Sequence, residues 1–71
     1  MMERYANRSG NSPITGFQIE DESLTVWFGR KPYTYSYNRA GSMHVETMKR
    51  LAKSGSGLSA YITRNVKYLY N

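Results

Sequence analysis

Large apolar side chains recur at every second position at Phe17 and Ile19, at Leu24, Val26 and Phe28, and at Tyr33, Tyr35 and Tyr37, with only four residues between one run and the next. A period of two belongs to extended chain, in which alternate side chains share a face. Links this short join neighbours as hairpins, so the runs ITGFQIE, SLTVWFG and YTYSY predict three strands of an antiparallel meander. β-branched and aromatic residues fill all three, as a pleated and half-buried surface favours.

The parity of the second turn decides which way the tyrosines point. Directly opposed residues of an antiparallel pair share a face, and a slip of one residue reverses every side chain. An even turn sets Phe28 against Tyr33, Val26 against Tyr35 and Leu24 against Tyr37, and the phenols join the core. An odd turn would place them outside with Trp27 and Thr25. Even parity is the expectation, because Leu24, Val26 and Phe28 need large partners rather than Thr34 and Ser36. The first turn agrees, setting Ile19 against Leu24 and Phe17 against Val26. Trp27 then falls on the outer face opposite Gly16, where it either stacks on a flat ligand or shields the bare glycine backbone.

From Gly41 the period becomes helical. Ser42 is a candidate cap, and Val45, Met48, Leu51 and Ala52 follow at helical spacing. Gly55 is the expected left-handed stop. Ser56 is a candidate cap for a second helix with the stripe Leu58, Tyr61, Ile62 and Val66. Residues 67–71 fit a helix end and a short strand equally. The predicted class is α+β: a three-stranded antiparallel meander followed by two helices packed on one face, in the order β-β-β-α-α. Residues 1–12 are polar and read as a flexible arm, with a single domain over 13–71.

The chain has 71 residues, no cysteine and no apolar run near the length of a membrane span or signal peptide, so a cytoplasmic, disulfide-free domain is expected. Its formal charge is +5 and its pI about 9.8. The charge is uneven. Residues 1–28 set Arg4 and Arg8 against Glu3, Glu20, Asp21 and Glu22, a net of −2. Residues 29–71 set Arg30, Lys31, Arg39, Lys49, Arg50, Lys53, Arg64 and Lys67 against Glu46, a net of +7. Such asymmetry points to an anionic partner.

The densest basic stretch is MKRLAKSGSGL, residues 48–58. Lys49, Arg50 and Lys53 close the first helix, and Ser56 and Gly57 open the second. A helix N-terminus beside cations can hold a phosphate; an ordinary helix stop and restart accounts for the same residues. Arg64, Lys67, Arg30 and Lys31 would extend a phosphate-binding stripe, with Trp27 or a rim tyrosine, Tyr33 or Tyr37, as a stacking group. Enzyme chemistry finds little support. His44, the one histidine, and Glu46 diverge at a spacing of two on a helix, and no serine has an evident base. No cofactor or metal site is expected.

LTVWFGRKPYTYSY followed by MKRLAKSGSGLSAYI resembles the KTSC domain, a bacterial module of some 60 residues found at the C-terminus of certain lysyl-tRNA synthetases and also alone. The likeness spans about Ser12 to Val66 and rests on the L-x-V-x-F strand, the Tyr33-Thr34-Tyr35 motif and the Ser54–Gly57 junction. The loop NRAGSMH departs from the Val-Pro helix entry of much of that family. The resemblance implies a fold and, through the company of a tRNA synthetase, RNA binding. It implies no catalytic residue. Two functions therefore stand. One is a non-enzymatic module binding RNA or single-stranded nucleic acid through the basic helical face. The other is a protein-interaction or accessory module using the outer sheet face or an edge strand. Either would work as a monomer or weak dimer.

The inward placement of the phenols has a direct test. Tyr35→Ala should cost about 3–5 kcal/mol in urea denaturation, comparable with the whole stability of roughly 5 kcal/mol expected of so small a chain. Unchanged stability would place Tyr35 outside the core.

Overall fold

Two hairpins set the sheet. In the computed structural model, which describes residues 2–8, 10 and 12–70, strand β2 (Ile14–Glu20) pairs antiparallel with β3 (Ser23–Phe28), and β3 with β4 (Lys31–Ser36). The first hairpin has the expected register, with Phe17 opposite Val26 and Ile19 opposite Leu24. The second is two residues tighter than expected: Leu24 faces Tyr35 and Val26 faces Tyr33. Gly29 and Arg30 alone make the turn. Gly29, at φ 66°, takes the positive φ that a two-residue hairpin asks of its first central position. A shift of two preserves every face, so the phenols point inward as parity requires. Tyr35 is 1% exposed, and Leu24 and Val26 are fully buried.

A bulge at Thr15 interrupts the β2–β3 ladder between Ile14 and Gly16. The extra residue turns Ile14 onto the core face, which strict alternation from Phe17 would deny it. The Thr15 hydroxyl donates to the Gly29 carbonyl at 2.8 Å and ties the bulge to the second turn.

The sheet has four strands rather than three. β1 (Glu3–Arg4) pairs antiparallel with β2, giving the order β1-β2-β3-β4. The flexible arm expected over residues 1–12 is corrected accordingly, with residues 1, 9 and 11 lying outside the described residues. Tyr5 is buried, and its hydroxyl accepts the Leu58 backbone N–H at 3.3 Å. The Arg8 N–H donates to the Gly55 carbonyl at 2.7 Å, and its Nε to the Ser54 carbonyl at 2.8 Å. A two-residue strand carries no readable alternation, and one tyrosine among polar residues gives no periodic signal.

Helix α1 (Ser42–Ser54) starts from Gly41 without a side-chain cap, so Ser42 is its first residue and not its cap. It ends at Gly55 in the left-handed conformation, as expected. Helix α2 (Leu58–Tyr61) is capped by Gly57 rather than Ser56 and runs into a π-helical stretch, Ile62–Val66. The wider π turn still sends Leu58, Ile62 and Val66 inward. Past it the chain is neither helix nor strand through Tyr70. These helices cover one face of the sheet with Val45, Met48, Ala52, Leu58, Ile62 and Val66. No helix among the described residues is long and apolar enough to cross a membrane.

Lys49 joins α1 to the sheet. It is 9% exposed, and its ammonium donates to the carbonyls of Glu20 at 2.6 Å and Asp21 at 3.1 Å. It also pairs with Glu46 at 3.0 Å. A buried cation is tolerated when its protons are all spoken for, and here they close the β2–β3 turn from above. Lys49→Ala should therefore destabilise the domain by roughly 1.5–3 kcal/mol in denaturant titration. Lys53→Ala, at an exposed position of the same helix, should stay within about 0.5 kcal/mol of the parent.

Candidate functional site

A groove of about 370 Å³ lies between the inner face of the β3–β4 hairpin and the chain that follows α2. Its size falls at the small end of the roughly 300–1,000 Å³ typical of ligand pockets. Phe28, Tyr33 and Tyr35 form the sheet side, and Ile62, Thr63, Lys67, Tyr68 and Tyr70 the other. The rings are locked edge to face: Phe28 on Tyr33 at 5.4 Å between centroids, Tyr33 on Tyr70 at 4.8 Å and Tyr35 on Tyr70 at 6.4 Å. Such contacts add about 0.5–1.5 kcal/mol each beyond burial, so they pre-form the wall. Tyr68 is 73% exposed and presents its ring to solvent, with the Lys67 ammonium 5.5 Å from its centroid. The π-helical stretch supplies Ile62 and Thr63 to the wall and leads directly to Lys67.

Cations flank the groove. Lys31 pairs with Phe28 across the hairpin and so stands on the groove's face of the sheet, two residues before Tyr33. Arg30 occupies the turn beside it. Arg30, Lys31, Arg64 and Lys67 are all exposed, and none has a carboxylate partner among the described residues. The carboxylates lie elsewhere. Glu20, Asp21 and Glu22 sit at the β2–β3 turn, about 20 Å away along the six residues of β3. Glu46 joins that end through Lys49, and Glu3 lies on the far edge strand.

The basic stretch singled out in the sequence divides. Lys49 is committed to the β2–β3 turn and is not available to a ligand. Arg50 and Lys53 are exposed on α1, but neither lines the groove. The Ser54–Gly57 junction is roofed by the N-terminal segment: a Cβ placed on Gly55 would lie 2.5 Å from that of Ala6. The Leu58 N–H that a phosphate would seek is already donated to Tyr5. Ser56 is half-buried, its carbonyl accepting the Ser54 hydroxyl, and Gly57 is exposed in the left-handed conformation. Trp27 lies on the outer face opposite Gly16, as expected, which separates it from the groove. The atoms nearest a Cβ at Gly16 belong to Met2 and Glu3 and not to the indole.

Tyr37 leaves the groove for the acidic end, where its hydroxyl donates to Glu46 at 2.5 Å. His44 meets the Tyr61 hydroxyl at 2.7 Å, so His44 and Glu46 are drawn to different partners. Sequence reasoning missed Tyr68 and Tyr70. The signal was there in the run Lys67-Tyr68-Leu69-Tyr70, but a segment open between helix and strand could not be given a face. Comparison with known families, characterised proteins and solved structures finds no match to this chain.

Three groups carry a pH signature, Tyr35, Tyr37 and Glu46, and the Tyr37 phenol is pushed up chiefly by its hydrogen bond to Glu46. Burial, then the neighbouring hydroxyls of Tyr33 and Tyr70, push the Tyr35 pKa up from 10.0 to about 12. The folded state thus favours the neutral phenol, and this contribution is complete below pH 10 and lost as pH rises toward 12. The hydrogen bond from Tyr37, and then the one from Lys49, hold the Glu46 carboxyl below the usual glutamate range. That contribution is complete above the unfolded glutamate value and lost as pH falls through the folded one. Titration of tyrosinate absorbance should show the Tyr35 phenol ionising near pH 12 and the Tyr37 phenol above the ordinary tyrosine value, with the denaturant midpoint falling from pH 10 upward. Glu46→Gln should lower stability at neutral pH and flatten its decline in acid.

Proposed function

We propose that this domain binds single-stranded nucleic acid, RNA foremost, through the aromatic groove rather than through the basic face of α1. One observation carries the proposal: five aromatic rings and Lys67 line a single groove with no carboxylate in its lining among the described residues, and Lys31 stands on the same face of the sheet opposite Phe28. Aromatic faces accept unstacked bases of any sequence, at about 1–3 kcal/mol per base, and adjoining cations track the phosphates. A duplex hides its base faces, so the groove favours unpaired strands. The separation of acidic and basic ends gives the molecule a field that turns this groove toward an approaching polyanion. The likeness to KTSC domains, known beside a tRNA synthetase, points the same way and belongs to this proposal. So does a cytoplasmic setting, where RNA is at hand.

Binding of a labelled single-stranded RNA should weaken with salt at a log–log slope of about −2, as for three phosphates met by Arg30, Lys31 and Lys67. Lys31→Glu with Lys67→Glu should abolish binding at physiological salt and leave the melting temperature near the parent's. Tyr68→Ala should cost roughly 1–3 kcal/mol of affinity. Arg50→Glu with Lys53→Glu should matter far less. A reversed order of these two double variants would return the site to the face of α1.

A further inference from the structure

The groove holds one group that packing does not account for. The Tyr35 ring is core, 1% exposed, yet its hydroxyl makes no hydrogen bond with any described residue. Among the described residues no side-chain oxygen or nitrogen is both sealed from solvent and unpartnered. The little of Tyr35 that remains exposed therefore includes the hydroxyl oxygen, and Tyr35 lines the groove. The hydroxyls of Tyr33 and Tyr70 likewise have no partner among the described residues. The other inward phenols differ: Tyr5 accepts from Leu58, Tyr61 meets His44 and Tyr37 donates to Glu46. Phenols of this fold are thus paired wherever they serve the fold, and unpaired where they meet the groove.

A phenylalanine would supply the same ring at position 35 and leave no polar atom at the groove wall. A hydroxyl that opens onto the groove with no partner among the described residues is left for a ligand to meet, and sites built around such a group discriminate sharply against ligands that cannot meet it. We infer that the Tyr35 hydroxyl reads the edge of a base inserted into the groove, donating to a carbonyl oxygen or ring nitrogen, with the Tyr33 and Tyr70 hydroxyls beside it. The ligand class is then a nucleobase-bearing strand engaged through a flat heterocycle that presents an acceptor, and not a bare polyphosphate or a simple aromatic. This inference rests on the groove being the nucleic-acid site.

The test compares the parent with Tyr35→Phe on two single-stranded probes of equal length and charge, oligouridine and an abasic ribose-phosphate oligomer, alongside thermal melting. The parent should prefer oligouridine. Tyr35→Phe should lose about 3- to 10-fold in affinity for oligouridine, the worth of one hydrogen bond, with no change on the abasic probe. It should melt at or above the parent's temperature, because no partner in the fold is lost. Equal binding of oligouridine by parent and variant would overturn the inference and leave the groove reading intact. So would an equal loss on both probes, or a lowered melting temperature, since either would make the hydroxyl structural. A parent that binds neither probe would overturn the groove reading and this inference together.

Discussion

Two-residue parity governs this molecule. A hairpin turn of two residues, Gly29 and Arg30, opposes Phe28 with Lys31 and carries Tyr33 and Tyr35 onto the face that already holds Val26 and Leu24. That face is the one the helices cover, so Tyr35 becomes core at its ring, and Tyr33 and Phe28 become a wall. The same turn sets Lys31 opposite Phe28, on the groove's face of the sheet. One more residue in the turn would send the phenols to solvent, strip the core of its largest member and disperse the groove. Core packing and the candidate site thus share a single geometric cause.

Polar contacts help to hold the helices over the sheet. Lys49 reaches down from α1 to the carbonyls of the β2–β3 turn, and Tyr5 reaches up from beneath to the start of α2. The first ties turn carbonyls to α1, and the second satisfies the Leu58 N–H, which has no acceptor within its own helix. Each also removes a group from the inventory of ligand-binding candidates: a cation in one case, a helix N-terminus in the other. Residues that look most reactive on paper serve here as fasteners, while cations around the β3–β4 turn and the end of the π-helical stretch stay exposed beside the groove.

Charge and shape then converge on one end of the molecule. Carboxylates collect at the β2–β3 turn, where Lys49 partly offsets them, and the opposite end combines unpaired cations with exposed aromatic rings. A flat heterocycle joined to phosphates is the chemistry that matches both. The rings are already packed against one another, so a ligand would meet a wall that loses little entropy on binding.

Local pattern was enough to specify the α+β class, the faces of Leu24, Val26 and Tyr35, the Gly16–Trp27 pairing and the left-handed stop at Gly55. Each rests on local chemistry: alternation, turn length, or the one residue type that takes positive φ without cost. Residues 1–12 read as a polar arm that concealed β1, and nothing in the pattern recorded the partners of Lys49 or the placing of Tyr68 and Tyr70. Those depend on contacts between residues far apart in the chain, such as Tyr5 with Leu58 or Tyr33 with Tyr70, and no periodicity within one segment records them. Tertiary structure decided which cations are occupied and which are free, because a lysine on a helix looks the same in sequence whether its ammonium meets water or a buried carbonyl.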